Sequence, residues 1–370
     1  MSAIYRSKTW VTIPDNISIS QLMQNNISHT PPDKIIYEEA HTGKTATYGA
    51  FHQQIRRTAY QLQQIQFQPQ QMVAISASSC IEYILAAQAV WWAGGVVCPI
   101  NNTLHPDEIA RALDLLKPDY LVIDASVDAK VPLVLQKSKH CTSNTIQVLT
   151  INKKDTKGSS HWPLFPFPRN DESQHQPELP TPIPRNANDC AAILLSSGTT
   201  GIPKAVMLSH HNLVATCYQL HHDNPQNWRG SQREIFFPPL SHVYALYVCF
   251  TMCCWLGAYV CLMPRFDLKT YCRLMQDRKA TLARIVPPVA KLLGEHEVVA
   301  KYEYPCLEYF SCSAAPLHVG FFFFFFLPPP SNLLILTRQE HTAAKLHDAF
   351  PGVALCQSKR LPQYPSLVSF

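Results

Sequence analysis

Between residues 194 and 212 the chain reads LLSSGTTGIPKAVMLSHHN. Ser196, Ser197, Thr199 and Thr200 set four hydroxyls around Gly198 and Gly201, and Lys204 follows close behind. Glycine allows positive φ and close backbone approach. Successive N–H groups in such a loop form a concave nest for anionic oxygens, and a lysine adds a compact positive charge. The chemistry implied is phosphate binding. The same residues also suit a polar hairpin turn carrying a solvated lysine. A Walker loop is excluded, because that needs GxxxxGK[ST] followed by a helix, whereas here the spacing is GxxGxxK and an apolar strand follows.

The elements that must position this loop alternate in type. Residues 46–68 read as a strand end and a helix, with Ile55, Ala59, Leu62 and Ile65 at helical spacing. Strand 72–77, apolar helix 80–95 ending at Gly94-Gly95, strand VVCPI, helix 105–118 and strand 120–124 follow. After the loop come strand AVMLS, helix HNLVATCYQLHH, strand EIFFPP, helix 267–278, strand LARIV, helix 288–294 and strand LEYFSCS. Such alternation predicts an α/β protein with largely parallel sheets. Residues 153–188 are rich in Pro, Gln and charge and read as an exposed linker.

The 370 residues are 46% hydrophobic, enough for a large core in two or three folding units. A net charge of +5 without a Lys/Arg block gives no reason to expect nucleic acid as a partner. The 13 cysteines contain no CxxC pair, and MSAIYRSKTW lacks the apolar core of a signal peptide. They read as reduced thiols of an intracellular protein, cytoplasmic or, in a longer form, peroxisomal. Residues 244–263 carry no charge over a membrane-span length, but Gly257-Ala258 divides them into a buried helix and a buried strand, so no transmembrane span is expected.

The stretch around Ser196–Lys204 resembles the phosphate-binding signature of the adenylate-forming superfamily, [S/T]SG[S/T]TGxPKGV, with Ala205 in place of the usual Gly. The resemblance runs through residues 1–320 and is closest to 4-coumarate–CoA ligase-like acyl-CoA synthetases. FFPPLSHVYALY is similar to the motif whose histidine lines the carboxylate end of the acyl pocket, which falls on His242, with Tyr244 beside it. Read without that resemblance, a histidine next to an apolar helix is an ordinary hydrogen-bonded core residue. MPRF resembles MPKF, whose basic residue faces CoA; here it is Arg265. SCSAAPL resembles SGAAPL, whose backbone lines the adenylate, so Ser313, in place of Gly, and Ala314 stand at that wall.

The resemblance implies the N-terminal domain of the adenylate-forming fold, two αβ subdomains with mostly parallel sheets. It implies ATP, Mg²⁺ and CoA as cofactors or co-substrates and an aryl or fatty carboxylic acid as substrate. Ser196, Ser197, Gly198, Thr199, Thr200, Gly201 and Lys204 would hold the ATP phosphates. No protein residue is assigned as a metal ligand or as a certain catalytic group.

The expected organisation is a first subdomain at 1–150, a Pro-rich linker at 151–188 and an AMP-binding subdomain at 189–320. The run FFFFFFLPPPSNLLILTRQEH has neither helical nor strand period, and its flanks read as one helix–strand element cut in two. Residues 321–341 therefore read as an insert, in frame as a retained intron would be, that does not pack, followed by a remnant helix–strand at 342–357. The tail SKRLPQYPSLVSF, residues 358–370, carries none of the family's GYGMTE, YxTGD, hinge or lysine motifs. The expectation is a chain without the C-terminal lid domain, weakly active or inactive as written. The alternative is a non-catalytic binding module or a decayed copy of such a ligase.

Overall fold

The computed structural model describes residues 10–151, 178–196 and 203–313, and the backbone of three short strands at 162–163, 334–337 and 355–357. In chain order the strands are β1 (Ile35–Glu39), β2 (Thr45–Thr47), β3 (Met72–Ser76), β4 (Val96–Pro99), β5 (Tyr120–Ile123), β6 (Gln147–Thr150), β7 (Trp162–Pro163) and β8 (Cys190–Ser196). They continue as β9 (Lys204–Ser209), β10 (Arg233–Phe236), β11 (Tyr259–Leu262), β12 (Leu282–Ile285), β13 (Tyr309–Cys312), β14 (Leu334–Thr337) and β15 (Leu355–Gln357).

Two sheets result, with orders β7-β6-β5-β3-β4-β8-β9 and β15-β14-β13-β12-β10-β11-β1-β2. Every pairing is parallel except the hairpins β1–β2 and β8–β9. The α/β class and the mostly parallel sheets match the sequence reading. The helices fill three layers around the two sheets. Helices Tyr48–Gln64 and Ile81–Trp92 pack between the sheets with the central core, which includes Ile36, Phe236 and Leu262 of one sheet and Val73, Val97 and Leu194 of the other. Helices Leu268–Asp277 and Pro287–Glu295 cover the outer face of the larger sheet; Pro106–Leu116 and Val131–Lys137 cover that of the smaller.

Local chemistry explains where the helices start and stop. Thr47 caps Tyr48–Gln64 by accepting a hydrogen bond from the Ala50 amide, and Phe51, Ile55, Ala59 and Leu62 form its buried stripe. Ile81–Trp92 is almost wholly buried, which is why its sequence is apolar on all sides. The uncharged segment at 244–263 is a helical run from Val243 to Leu256, with a π-helix at Leu246–Met252, then Gly257 at φ 64°, then β11. Among the described residues no helix is long and apolar enough to cross a membrane, and every described cysteine is a free thiol.

Three features of the structure bear on the expected organisation. The sheets do not follow the division at 150 and 189: β1 and β2 join the larger sheet beside β11, and β8 and β9 join the smaller sheet beside β4. The linker at 151–188 is not simply exposed. Its end docks on the helical layer, where Arg56 Nη2 donates to Leu179 O at 2.9 Å, Trp92 Nε1 donates to Pro180 O at 2.9 Å, and the Ile183 amide donates to Trp92 O at 2.9 Å. Upstream, β7 extends the smaller sheet beside β6. The insert at 321–341 also contributes structure, since β14 pairs in parallel between β13 and β15. Its LILT run has strand propensity and finds unpaired backbone groups at the sheet edge. The rest of the insert, the helix expected before β15 and the tail at 358–370 lie outside the described residues.

Candidate active site

The stretch expected to bind phosphate joins β8 to β9, which pair as an antiparallel hairpin. Leu195 stands opposite Ala205 and Ser196 opposite Lys204. Ser196 Oγ donates to Lys204 O at 3.5 Å. β8 runs parallel to β4, so Ser196 lies at the carboxyl end of the parallel strands, where α/β proteins bind ligands. β9 is an edge strand, and Lys204 is exposed on it. Ser197, Gly198, Thr199, Thr200 and Gly201 lie outside the described residues; the hairpin holds their two ends on adjacent strands. Directly after β9, Ser209 and Asn212 form a capping box that starts helix His210–Asp223. His210 is wholly buried, its Nδ1 accepts from the Ile19 amide at 3.3 Å, and burial lowers its pKa to about 4.

His242, Arg265 and Ser313 gather at the carboxyl edge of the larger sheet, because each follows the end of a parallel strand: β10, β11 and β13. His242 is the N-cap of the helical run at Val243, and its Nδ1 accepts from the Tyr244 amide at 3.2 Å. Its ring is exposed, yet the dense protein around it disfavours the charged form and lowers the pKa. Tyr244 is half-buried and stacks on Phe236, ring centroids 5.8 Å apart at 22°. Burial holds its hydroxyl well above the ordinary range. Arg265 is exposed just beyond β11. The exposed Ser313 donates its amide to Ile285 O at 3.2 Å; Ala314 lies outside the described residues. Ser196 and Lys204 belong to the other sheet.

Sequence reasoning missed a buried ion pair beside these groups. Glu234 of β10 and Arg284 of β12 are 2% and 7% exposed, and Arg284 Nη1 donates to Glu234 Oε2. Arg284 Nη2 donates to Asn227 O at 3.2 Å, and the guanidinium lies over the Trp228 ring, 3.8 Å from its centroid. Strand alternation puts Glu234 and Phe236 on one face, and the parallel register puts Arg284, Ser311 and then Ser313 on that same face. Burial raises the Glu234 pKa even against the attraction of Arg284. The signal was present as one charge of opposite sign between apolar residues in LARI and, next to Arg233 at its start, in REIF.

Among the described residues one trio, Glu39, Cys80 and Glu82, brings potential metal-ligand atoms together. Its charges are already engaged. Lys44 pairs with Glu82, Glu39 Oε1 accepts from the Ile81 amide at 3.0 Å, and burial pushes the Cys80 thiol up to about 12. It serves the start of helix Ile81–Trp92 rather than the loop of β8–β9.

A family profile described as "AMP-binding enzyme" matches residues 23–325. The 4-coumarate–CoA ligase 1 of Petroselinum crispum is 28% identical over 319 residues, covering 85% of this chain and 56% of the relative. The 4-coumarate–CoA ligase of Pinus taeda is 26% identical over 317 residues with the same coverages, 85% and 56%. The chain thus spans about half the length of the curated relatives it matches. Among solved structures, the luciferase-like enzyme of the Zophobas morio mealworm superposes with a TM-score of 0.71 at 15% identity, over 96% of this chain and 75% of that one. ATP-bound MatB from Rhodopseudomonas palustris superposes with a TM-score of 0.67 at 23% identity, over 84% of this chain and 58% of that one. These two likenesses establish a shared fold.

Proposed function

We propose, since the chain belongs to the AMP-binding enzyme family, that it activates a carboxylic acid with ATP and transfers the acyl group to the thiol of CoA. A carboxylate oxygen attacks the α-phosphorus, the bond to the β-phosphate bridging oxygen breaks, and acyl-AMP and pyrophosphate form. The CoA thiolate then attacks the acyl carbonyl and AMP departs. Little covalent work falls to the protein in the first step; positioning and charge neutralisation carry it.

The observation that carries this reading is the β8–β9 hairpin, which pairs Ser196 with Lys204 at the carboxyl end of a parallel sheet. Hydroxyls and N–H groups of Ser196, Ser197, Gly198, Thr199, Thr200 and Gly201 hold the β- and γ-phosphates, and Lys204 offsets their charge. Mg²⁺ enters with ATP as part of the substrate. His242 and Tyr244 orient the acid, the backbone at Ser313 and Ala314 lies along the adenylate, and Arg265 faces the phosphates of CoA. His242 suits a hydrogen-bond role, since its depressed pKa keeps it neutral at pH 7 and a neutral ring does not neutralise the attacking carboxylate.

The test is carboxylate-dependent exchange of pyrophosphate into ATP, run over a panel of aryl and fatty acids, with ATP binding followed by calorimetry. Exchange with one class of acid is the expected result. A folded sample that neither binds ATP nor exchanges with any acid removes the reading.

A further inference from the structure

The helical run capped by His242 changes its winding at Leu246–Met252, where it becomes a π-helix. Its hydrogen bonds show what the change leaves over. The Cys253 amide donates to Val248 O, five residues back, whereas the Gly257 amide donates to Cys253 O, four residues back. Between those two bonds lie four carbonyls, 249 to 252, but three amides, 254 to 256. At least one carbonyl therefore has no helical amide of its own, and a buried acceptor without a donor is costly. Two side chains from elsewhere in the fold answer it. Tyr37 Oη of β1 donates to Cys249 O at 2.6 Å, and Gln88 Nε2 of helix Ile81–Trp92 donates to Phe250 O.

Both donors are held in place by their surroundings. Tyr37 and Gln88 are fully buried. Burial raises the Tyr37 pKa well above its ordinary range, which keeps the hydroxyl a donor, and its ring lies 4.8 Å from that of Phe51. Gln88 sets an amide among the buried apolar residues Leu85, Ala87, Ala89 and Trp91, where burial without a partner would be unfavourable. The far end of the run is fixed as well, by the buried Trp255 and by Gly257 at φ 64°. Were the π turn to relax to α winding, the residue it releases would have to be taken up at the other end. That would turn His242 and Tyr244 by about 100° around the helix axis, one residue at 3.6 per turn. In the observed winding Tyr244 stacks on Phe236, and His242 stands beyond the end of β10. Single π turns inside α-helices are rare and recur at functional sites.

We propose that Tyr37 and Gln88 are positioning residues for the carboxylic-acid site: they hold the π turn, and the turn sets the direction of His242 and Tyr244. Both act through the helix backbone rather than by contact with the acid. This inference rests on the reading of His242 and Tyr244 as the groups that orient the acid.

The experiment uses the 370-residue chain and three variants, with folding checked by circular dichroism. Tyr37→Phe removes one oxygen, and Gln88→Met removes the amide at similar volume. Ile55→Val trims the same core at a side chain that cannot hydrogen-bond, and controls for plain loss of packing. The first readout needs no substrate: an NMR titration of the His242 imidazole, assigned with His242→Gln. Tyr37→Phe and Gln88→Met should each move its resonances and shift its pKa by roughly half a pH unit or more, whereas Ile55→Val leaves both in place. The second readout is pyrophosphate exchange. In the same two variants the half-saturating concentration of the acid should rise roughly tenfold or more while that of ATP stays within about twofold. Unchanged His242 resonances in both folded variants overturn the positioning role and leave the acid-site reading standing. Equal rises for acid and ATP, or the same changes in Ile55→Val, overturn it as well, since general loosening then explains them. If the unaltered chain exchanges with no acid, the acid-site part falls together with the proposed function, and the His242 titration decides whether the turn positions that ring. Should Gln88→Met not fold, Tyr37→Phe decides by the same two readouts.

Discussion

Replacing Arg284 by methionine leaves Glu234 buried without its counter-ion, and the size and pH dependence of the penalty follow from the structure. Both side chains are almost fully buried, so water cannot screen the exposed charge. Removing one member of a buried pair costs about 3–5 kcal/mol. The carboxyl has an escape: it can take up a proton. Starting from its ordinary value of 4.5, protonation at pH 7 costs about 3.4 kcal/mol, at roughly 1.4 kcal/mol per pH unit. That sets the ceiling on the charge penalty at neutral pH. At pH 5 the same step costs only about 0.7 kcal/mol. The sign follows from proton counting. A carboxyl whose folded pKa is raised binds more protons folded than unfolded, so stability falls as pH rises above the unfolded value. Arg284→Met should therefore be destabilised by about 3 kcal/mol at pH 7 and by much less at pH 5, against a total stability of about 5–15 kcal/mol. Glu234→Leu/Arg284→Met should recover most of the loss and show no such pH slope. Urea unfolding of the three proteins at pH 5, 6, 7 and 8 measures this. A penalty for the single variant that does not change with pH, or a double variant as weak as the single one, refutes the reasoning.

Lys204→Ala should slow pyrophosphate exchange about tenfold to a hundredfold, the range for one charge-assisted hydrogen bond, and leave the fold intact because the side chain is exposed; unchanged exchange kinetics would rule out its phosphate role. Burial holds the His52 and His210 pKa values at about 4 each. For a depressed imidazole the unfolded chain binds the extra proton, so stability is full above pH 6.5 and drains as pH falls toward 4, by up to about 3 kcal/mol per ring. NMR titration showing either ring protonating near 6.5 would contradict this. Gly257→Ala should cost about 2 kcal/mol or more, since Gly257 has φ 64° and an added Cβ would run into the buried Thr30 side chain. A thermal melt at the unaltered temperature would show that this corner relaxes freely.

Local features of this protein were legible in its residues. The two strands that flank the 197–202 stretch depend on neighbours in sequence, and the β8–β9 pairing bears them out. Helix Tyr48–Gln64 and the break at Gly257 were readable for the same reason: period and φ preference are short-range properties. Tertiary structure alone decided which strands meet. β1 pairs with β11, more than two hundred residues later, through Tyr37 and Val260, and nothing in either pentad or tetrad names its partner. A parallel strand reads as an apolar run whichever neighbour it takes, and the entropy of closing a loop grows only slowly with its length. The same limit hid the ion pair. Glu234 and Arg284 are separated by 50 residues, and each alone looks like a stray charge in a buried strand. Only the register of β10 against β12 puts them on one face within reach, beside Tyr244, where the desolvation of each is offset in part by the other.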